Sequence, residues 1–451
     1  MEKTICAIST APLKGAISII RVSGKDAIKI VNSVFSGADL SKVKSHTIHY
    51  GYISHNNEKI DEVLVTVMKS PRTFTTEDTV EINTHGGIAP TNKVLEILLN
   101  NGCELAEPGE FTKRAFLNGR IDLIKAEAIS DLINSETEKA RKLAVNQIRG
   151  TVTKKIEDLR SSLISLMASI EVNIDYPEYD DAEEITKEVL LPSLKELNIK
   201  LVDLIKESEN GKIINQGINV AIIGAPNVGK SSILNALIEE EKAIVTNIPG
   251  TTRDIVEGKI SLNGIILNII DTAGIRTTTD LVEQIGVEKS LKVSKEADLV
   301  IYVIDNTKEN INEDIEQLKE IKDSKVLVFV NKDDLESKIK KETLKDYHLV
   351  TGNTVKEDGL KDLKNKIIEL FNIDYFENTD YTFLSSAKHI SLAKKAKNSI
   401  DNAINNLNEG ILVDMVSIDL KESYDYLSEI IGEKYKDDLL DELFSKFCLG
   451  K

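Results

Sequence analysis

Apolar residues fall along this chain in three rhythms. Residues 1–118 carry short β-like runs broken by turns. AISIIRV (16–22), EVLVTVM (62–68) and DTVEINT (78–84) read as strands, the last by its alternation. TNKVLEILLNNG (91–102) has helical spacing and ends near Gly102. An α+β domain is expected here. From residue 119 to 213 the apolar positions recur every three and four residues, in IDLIKAEAISDLINSETEKARKLAVNQI (121–148) and IEDLRSSLISLMASIEVNI (156–174). Long amphipathic helices are expected, with a loop at DYPEYDDAEE (175–184). Pro192 should kink or end the helix that follows. Residues 214–375 alternate helices with continuous apolar runs: INVAIIG, LNIIDT, LVIYVID and KVLVFVN. Such runs suit parallel strands covered on both faces. Residues 376–451 return to helices in AKHISLAKKAKNSIDNAI and YLSEIIG. The fold class expected is multidomain α/β: an N-terminal α+β domain, a discontinuous helical domain (119–213 and 376–451), and an α/β domain (214–375) inserted into it.

Composition narrows the picture little. The 451 residues are 41% hydrophobic and 29% charged, as in ordinary globular proteins. No apolar run approaches the ~18 residues of a membrane helix, and MEKTICAIST lacks a secretory pattern. Three scattered cysteines, Cys6, Cys103 and Cys448, fit a reducing cytoplasm and exclude a disulfide framework. The net charge of −17 opposes non-specific nucleic-acid binding. Residues 1–118 are charge-balanced, so the acid excess lies downstream.

The strongest chemical signal is Gly224-Ala-Pro-Asn-Val-Gly229-Lys230-Ser231. It has the phosphate-loop spacing, follows an apolar strand and precedes the helical SSILNALI. Its amides would wrap phosphate oxygens, Lys230 would reach the β and γ phosphates, and Ser231 would ligate Mg²⁺. Asp271-Thr272-Ala273-Gly274 ends a second strand. There Asp271 can hold the metal through water, and the Gly274 amide can sense the γ-phosphate. Asn331-Lys332-Asp333-Asp334 ends a third. A carboxylate there accepts two guanine N–H groups and would be left unpaired by adenine. Together these resemble the GTPase superfamily and imply guanine. Two stretches compete as the last base-contacting loop. Ser386-Ala387-Lys388 matches by letters. Thr351-Gly352-Asn353 matches by spacing and by the helical GLKDLKNKIIEL after it, and is favoured.

GTTRD (250–254), KGAISIIRVSG (14–24), EDTVEINTHGG (77–87), PGEFTKRAFLNGRIDLIKAEA (108–128) and the terminal FCLGK carry a closer resemblance. Over essentially its whole length the chain resembles the MnmE family of tRNA-modifying GTPases. The resemblance implies a P-loop, Ras-like G domain at 214–375, with GTP contacts from Asn227, Val228, Gly229, Lys230, Ser231, Ser232, Thr246, Asn247, Ile248, Pro249, Gly250, Thr251, Thr252, Asp271, Thr272, Ala273, Gly274, Asn331, Lys332 and Asp334. Mg²⁺ would be held by Ser231 and Thr252, and K⁺ by Asn227 with Thr246, Ile248 and Thr251. No glutamine follows Gly274; Glu283 stands where the family positions water. The N-terminal domain would dimerise and bind 5-formyl- or methylene-tetrahydrofolate through Arg21, Glu81, Arg120 and Lys451, where the family often has lysine in place of Arg120. Implied partners are the flavoprotein MnmG, in a heterotetramer, and tRNA. The implied product is a wobble uridine (U34) bearing an aminomethyl or carboxymethylaminomethyl group at C5. Cys448 is a candidate nucleophile toward uracil C6. The alternative is a ribosome-assembly GTPase of the Era or EngA kind. That reading needs a second G domain or an RNA-binding module, and the sequence displays one phosphate loop.

Overall fold

The computed structural model describes residues 3–175, 187–240, 256–270, 293–321, 324–356, 358–377, 380–434, 437–445, 447 and 449–450. The expected loop at 175–184 falls almost wholly outside them. The chain forms two compact units, Met1–Ser130 with Gln147–Glu184 and Leu412–Lys451, and Asp131–Asn146 with Ile185–Ile411.

The first unit is built on seven strands: β1 (Ile5–Ile8), β2 (Ile17–Ser23), β3 (Phe35–Ser36), β4 (Thr47–His55), β5 (Glu58–Met68), β6 (Thr79–His85) and β7 (Glu104–Leu105). Their order is β3-β4-β5-β6-β2-β1-β7. Alternation decides which face is buried. Val63, Val65 and Val67 of β5 and Val80 and Ile82 of β6 pack with Val31, Val94 and Leu98 from the helices Ala27–Val34 and Ile88–Asn100. Ile48, Tyr50 and Leu64, on intervening positions, are exposed. The helix expected at 91–102 begins earlier, at Ile88. Pro90 sits in its first turn, where a missing N–H breaks no helical bond.

The same unit holds the helices Thr151–Asp175 and Val413–Ile431, which pack together. Arg160, 8% exposed, joins them: Nη1 donates to Glu433 Oε1 at 3.0 Å, Nη2 to the Tyr424 hydroxyl at 2.9 Å, and Nε to Ser428 Oγ at 3.1 Å. The last helix, Asp437–Phe444, packs on the helix Glu110–Leu117. The Phe444 and Phe447 rings meet at a tilt of 49°, their centroids 5.2 Å apart, within a cluster containing Leu123, Ala126 and Leu440.

The second unit carries six strands: β8 (Ile218–Ile223), β9 (Val256–Leu262), β10 (Ile265–Ile270), β11 (Leu299–Asp305), β12 (Lys325–Asn331) and β13 (His348–Thr351), ordered β13-β12-β11-β8-β10-β9. All neighbours are parallel except β9–β10, which form an antiparallel hairpin. β11 is buried at six successive positions, Leu299–Ile304, because side chains cover both faces.

One expectation about helices is corrected, and of the two outcomes expected at Pro192 one is excluded. The run 121–148 is two helices, Leu123–Asn134 and Glu138–Ile148. Thr137 Oγ1 accepts the Ala140 N–H at 3.2 Å and restarts the helix. The helix Lys187–Gln216 continues through Pro192 instead of ending there. Leu190, Leu194, Leu197, Leu201 and Leu204 are all buried. Burying each is worth about 1.5–3 kcal/mol, which outweighs the ~3 kcal/mol helix penalty of one proline.

Candidate functional site

Parallel strands in one sheet bring their carboxyl ends to one edge, the place where open α/β sheets bind ligands. β8, β10, β11 and β12 do so here. The loop after β8 turns sharply at Gly224 (φ 151°), where an added Cβ would lie 2.4 Å from the Val303 carbonyl oxygen. Asn227 (φ 60°) and Gly229 (φ 103°) bend it again, and the helix Lys230–Glu240 follows at once. Asn227, Ser231 and Ser232 are exposed and Val228 is buried. Lys230 Nζ donates to the Gly224 and Ala225 carbonyls at 2.8 and 2.7 Å, so the ammonium sits inside the loop. Burial depresses its pKa below 10.5.

Asn331 ends β12 and is 2% exposed. Its Nδ2 donates to the Val228 carbonyl at 2.8 Å, and a Cβ on Gly229 would fall 2.2 Å from that nitrogen. The end of β12 is thus clamped to the glycine-rich loop after β8 across 103 residues of sequence. Asn331→Ala is expected to weaken guanine nucleotide binding about 10- to 100-fold, the ~1–3 kcal/mol of a buried group left unpaired. Calorimetry with GDP would check it; unchanged affinity would mean that the clamp does not shape the loop.

Lys332 is left-handed (φ 65°), and its Nζ lies 2.5 Å from Asp305 Oδ2. Burial raises the Asp305 pKa, but hydrogen bonds from Lys332 and from Thr307 outweigh it, so the net shift is downward. Asp334 is exposed. Thr351-Gly352-Asn353 lies beside this strand end: Asp333 N donates to the Gly352 carbonyl at 3.1 Å and Asn353 Nδ2 to Asp333 Oδ1 at 2.5 Å. Asn353 Oδ1 accepts the Val355 and Lys356 amides at 3.1 and 2.8 Å, which closes the loop. Ser386-Ala387-Lys388 opens the helix Ala387–Asn408, which packs on Lys187–Gln216. Sequence reasoning passed over Asp305 and Asn306, and named Asp333 only as part of the Asn331–Asp334 run. The available signal was an Asp-Asn pair ending LVIYVID, the same strand-end position that marked the other motifs.

Thr246, Asn247, Ile248, Pro249, Gly250, Thr251, Thr252, Asp271, Thr272, Ala273, Gly274, Glu283, Cys448 and Lys451 lie outside the described residues. β10 ends at Ile270, immediately before Asp271. The remaining residues fit the implied groups. The glycine cradle suits phosphate, since any side chain would meet backbone or Asn331. The hydroxyl of Ser231 and the amide oxygen of exposed Asn227 are hard donors that suit Mg²⁺ and K⁺.

A second constellation lies in the first unit. Arg21 on β2 and Glu81 on β6 are cross-strand partners, with Nε and Nη2 at 2.9 and 2.8 Å from Oε1. Arg21 Nη1 also donates to the Gly450 carbonyl at 3.2 Å, and Ser9 Oγ to the same oxygen at 3.0 Å. Arg21 packs over the Phe111 ring at 5.6 Å. Arg120 donates to the Thr73 carbonyl and packs over Phe74 at 5.6 Å. Phe111 and Phe74 belong to one small apolar cluster, so Arg21 and Arg120 flank it. Carboxylate and guanidinium groups beside aromatic rings form a donor set that fits a pterin with attached carboxylates. Two glycines admit the chain end. Gly109 (φ 70°) would place a Cβ 2.5 Å from the Phe444 carbonyl, and Gly450 (φ 84°) one 2.5 Å from that of Ile8. Phe111, Phe74 and Ser9 were not singled out in the sequence, because only folding brings them to Arg21.

Comparison with known proteins covers both constellations. A family described as "GTP-binding protein TrmE N-terminus" matches residues 4–120, and one described as "MnmE helical domain" matches 123–448. A protein of Bacillus cytotoxicus named tRNA modification GTPase MnmE is 48% identical over 99% of this chain and 99% of its own length. One of the same name from Bacillus subtilis is 47% identical over 99% of this chain and 100% of its own. Among solved structures, the G domain of the T. maritima FeoB iron transporter is 32% identical, covering 34% of this chain and 97% of that one, with a TM-score of 0.25. A point variant of Aquifex aeolicus Era bound to GDP·AlF₄⁻ is 24% identical, covering 40% and 66%, with a TM-score of 0.26.

Proposed function

The chain belongs to the MnmE family of tRNA modification GTPases, and on that premise we propose that it is a potassium-dependent GTPase of wobble-uridine modification. With the flavoprotein MnmG and a tetrahydrofolate donor it adds an aminomethyl or carboxymethylaminomethyl group to C5 of U34 in tRNA. The observation that carries this reading is the chain end at the N-terminal sheet. Gly450 is hydrogen-bonded to Arg21, whose guanidinium holds Glu81. A bare G domain has no use for such a second site.

In this reading Lys230 neutralises the β and γ phosphates, and Asn331 braces the loop that presents it. Asp334 accepts the guanine N–H groups, and Thr351–Asn353 forms the neighbouring base loop. Glu283 orients the attacking water. Mg²⁺ held by Ser231 and Thr252, and K⁺ held by Asn227, Thr246, Ile248 and Thr251, would supply positive charge where the leaving phosphate gains negative charge. The folate would supply the one-carbon unit beside Arg21, Glu81, Arg120 and Lys451. Cys448 adds its sulfur to uracil C6, which makes C5 nucleophilic. The N-terminal domains pair in a homodimer, and the complex works in the cytoplasm. No helix among the described residues is long and apolar enough to cross a membrane.

The test is nucleoside mass analysis of tRNA from cells without this gene, restored with wild type or Lys230→Ala. Loss of a C5-modified wobble uridine, rescued by wild type alone, is expected. Unchanged uridines would move the reading to ribosome assembly.

A further inference from the structure

His85, the last residue of β6, is left without a task by the reading above. Asp61 of β5 holds it twice: Oδ2 accepts the His85 main-chain N–H at 2.9 Å, and Oδ1 lies 2.7 Å from Nδ1. The Asp61 side chain is 8% exposed and the imidazole 71%. A buried carboxylate therefore fixes both backbone and ring of an exposed histidine. With Nδ1–H directed at Asp61, the Nε2 edge faces outward. The hydrogen bond to Asp61, then the charge of that carboxylate, raise the His85 pKa above 6.5, with burial opposing and Glu62 adding to them. Asp61 and Glu62 of β5 are the charged groups facing the ring. Nε2 thus stays a proton donor to higher pH than in an ordinary imidazole.

Position connects this pair to the Arg21–Glu81 site. β2 and β6 run side by side with the rungs Arg21↔Glu81, Ile19↔Asn83 and Ile17↔His85. Four residues of strand place His85 about 13 Å from Glu81, with exposed Ile17 opposite it. A ligand along this track meets a carboxylate at one end, Ile19 beside Asn83 next, and a histidine donor at the other. Arg21 already donates to Glu81 and to the Gly450 carbonyl, so a carboxylate farther along the track needs a donor of its own.

We propose that the Asp61–His85 pair is the carboxylate-binding end of this track, with His85 Nε2–H donating to the glutamate tail of a folate whose pterin ring lies at Glu81. The inference rests on the folate reading above and adds a subsite to it. At pH below the raised pKa both ring nitrogens carry protons and Nε2 donates. Above it the remaining proton stays on Nδ1 toward Asp61, and Nε2 becomes an acceptor that repels a carboxylate.

The test is equilibrium binding to the full chain of 5-formyltetrahydrofolate and of a reduced pterin lacking the p-aminobenzoylglutamate tail. Both are measured near pH 6 and pH 8.5 with wild type, His85→Gln and Asp61→Asn. The complete folate should bind wild type about 5- to 10-fold more tightly at the lower pH, the effect of one charge-assisted hydrogen bond. His85→Gln should bind at the weaker level at both values. Asp61→Asn should move the transition to lower pH, a readout that a merely structural histidine would not give. The truncated pterin should show no such dependence. Tight, pH-dependent folate binding that survives His85→Gln overturns the subsite and leaves the folate reading standing. If wild type binds neither compound, the folate reading falls and the subsite with it.

Discussion

Lys230→Ala is expected to lower kcat/KM for GTP hydrolysis by about 10³-fold, without unfolding the protein. The ammonium is held among the Gly224 and Ala225 carbonyls, where phosphate oxygens would meet it. Removing one preorganised donor from a transition-state site costs about 2.7–4 kcal/mol, or 10²–10³ in rate. Lysine also contributes to binding, so both kcat and KM should suffer. Stability should move the other way. Burial depresses this lysine's pKa, so the folded chain carries the charge at a cost that alanine removes. The sign follows from linkage. The cost is full below the lowered folded pKa, where lysine is charged in both states. It fades as pH rises from there through the unfolded value of 10.5. Near neutral pH the variant should melt at or above the wild-type temperature in the absence of nucleotide, and GTP should no longer raise that temperature. A stable variant that hydrolyses GTP at the wild-type rate would dismiss Lys230 as the phosphate contact.

The second large effect sets two glycines against each other. Gly109 and Gly119 have nearly the same backbone angle, φ 70° and 71°. A Cβ on Gly119 would meet nothing within 4 Å, whereas one on Gly109 would lie 2.5 Å from the Phe444 carbonyl and 2.9 Å from the Phe447 Cβ. Gly119→Ala should therefore cost only the left-handed strain, about 1–2 kcal/mol. Gly109→Ala adds overpacking of ~1–3 kcal/mol, for a total of roughly 2–5 kcal/mol. The excess should fall on the chain end. Amide exchange in 437–445 should accelerate selectively, with Phe444 and Phe447 loosened from Leu123 and Leu440. tRNA modification should drop while GTP hydrolysis persists. Equal destabilisation by the two substitutions would show that the chain end gains nothing from Gly109.

What was legible in the sequence was local in origin. The phosphate loop is eight consecutive residues whose backbone angles follow from their own glycines, and Asn331 follows one uninterrupted apolar strand. The strands β2, β5, β6, β8, β11 and β12 announce themselves by alternation or by unbroken apolar runs, because burial on one or both faces is a property of each strand alone. The resemblance of FCLGK and PGEFTKRAF to one family could be read in the same way, but not that these stretches touch.

The tertiary structure decided the rest, for one physical reason: the partners are far apart in sequence and meet only through strand pairing and close packing. Arg21 finds Glu81 because β2 and β6 are neighbours in a particular register. Gly450 reaches Arg21 across 429 positions because Gly109 lets the last helix close on the domain. Spacing already favoured Thr351 over Ser386, but only the pairing of β13 with β12 shows Asn353 beside Asp333. Pro192 lies inside a helix because buried leucines around it outweigh a local preference. Local sequence thus specified which chemical groups the chain carries, and the register of its sheets specified which of them act together.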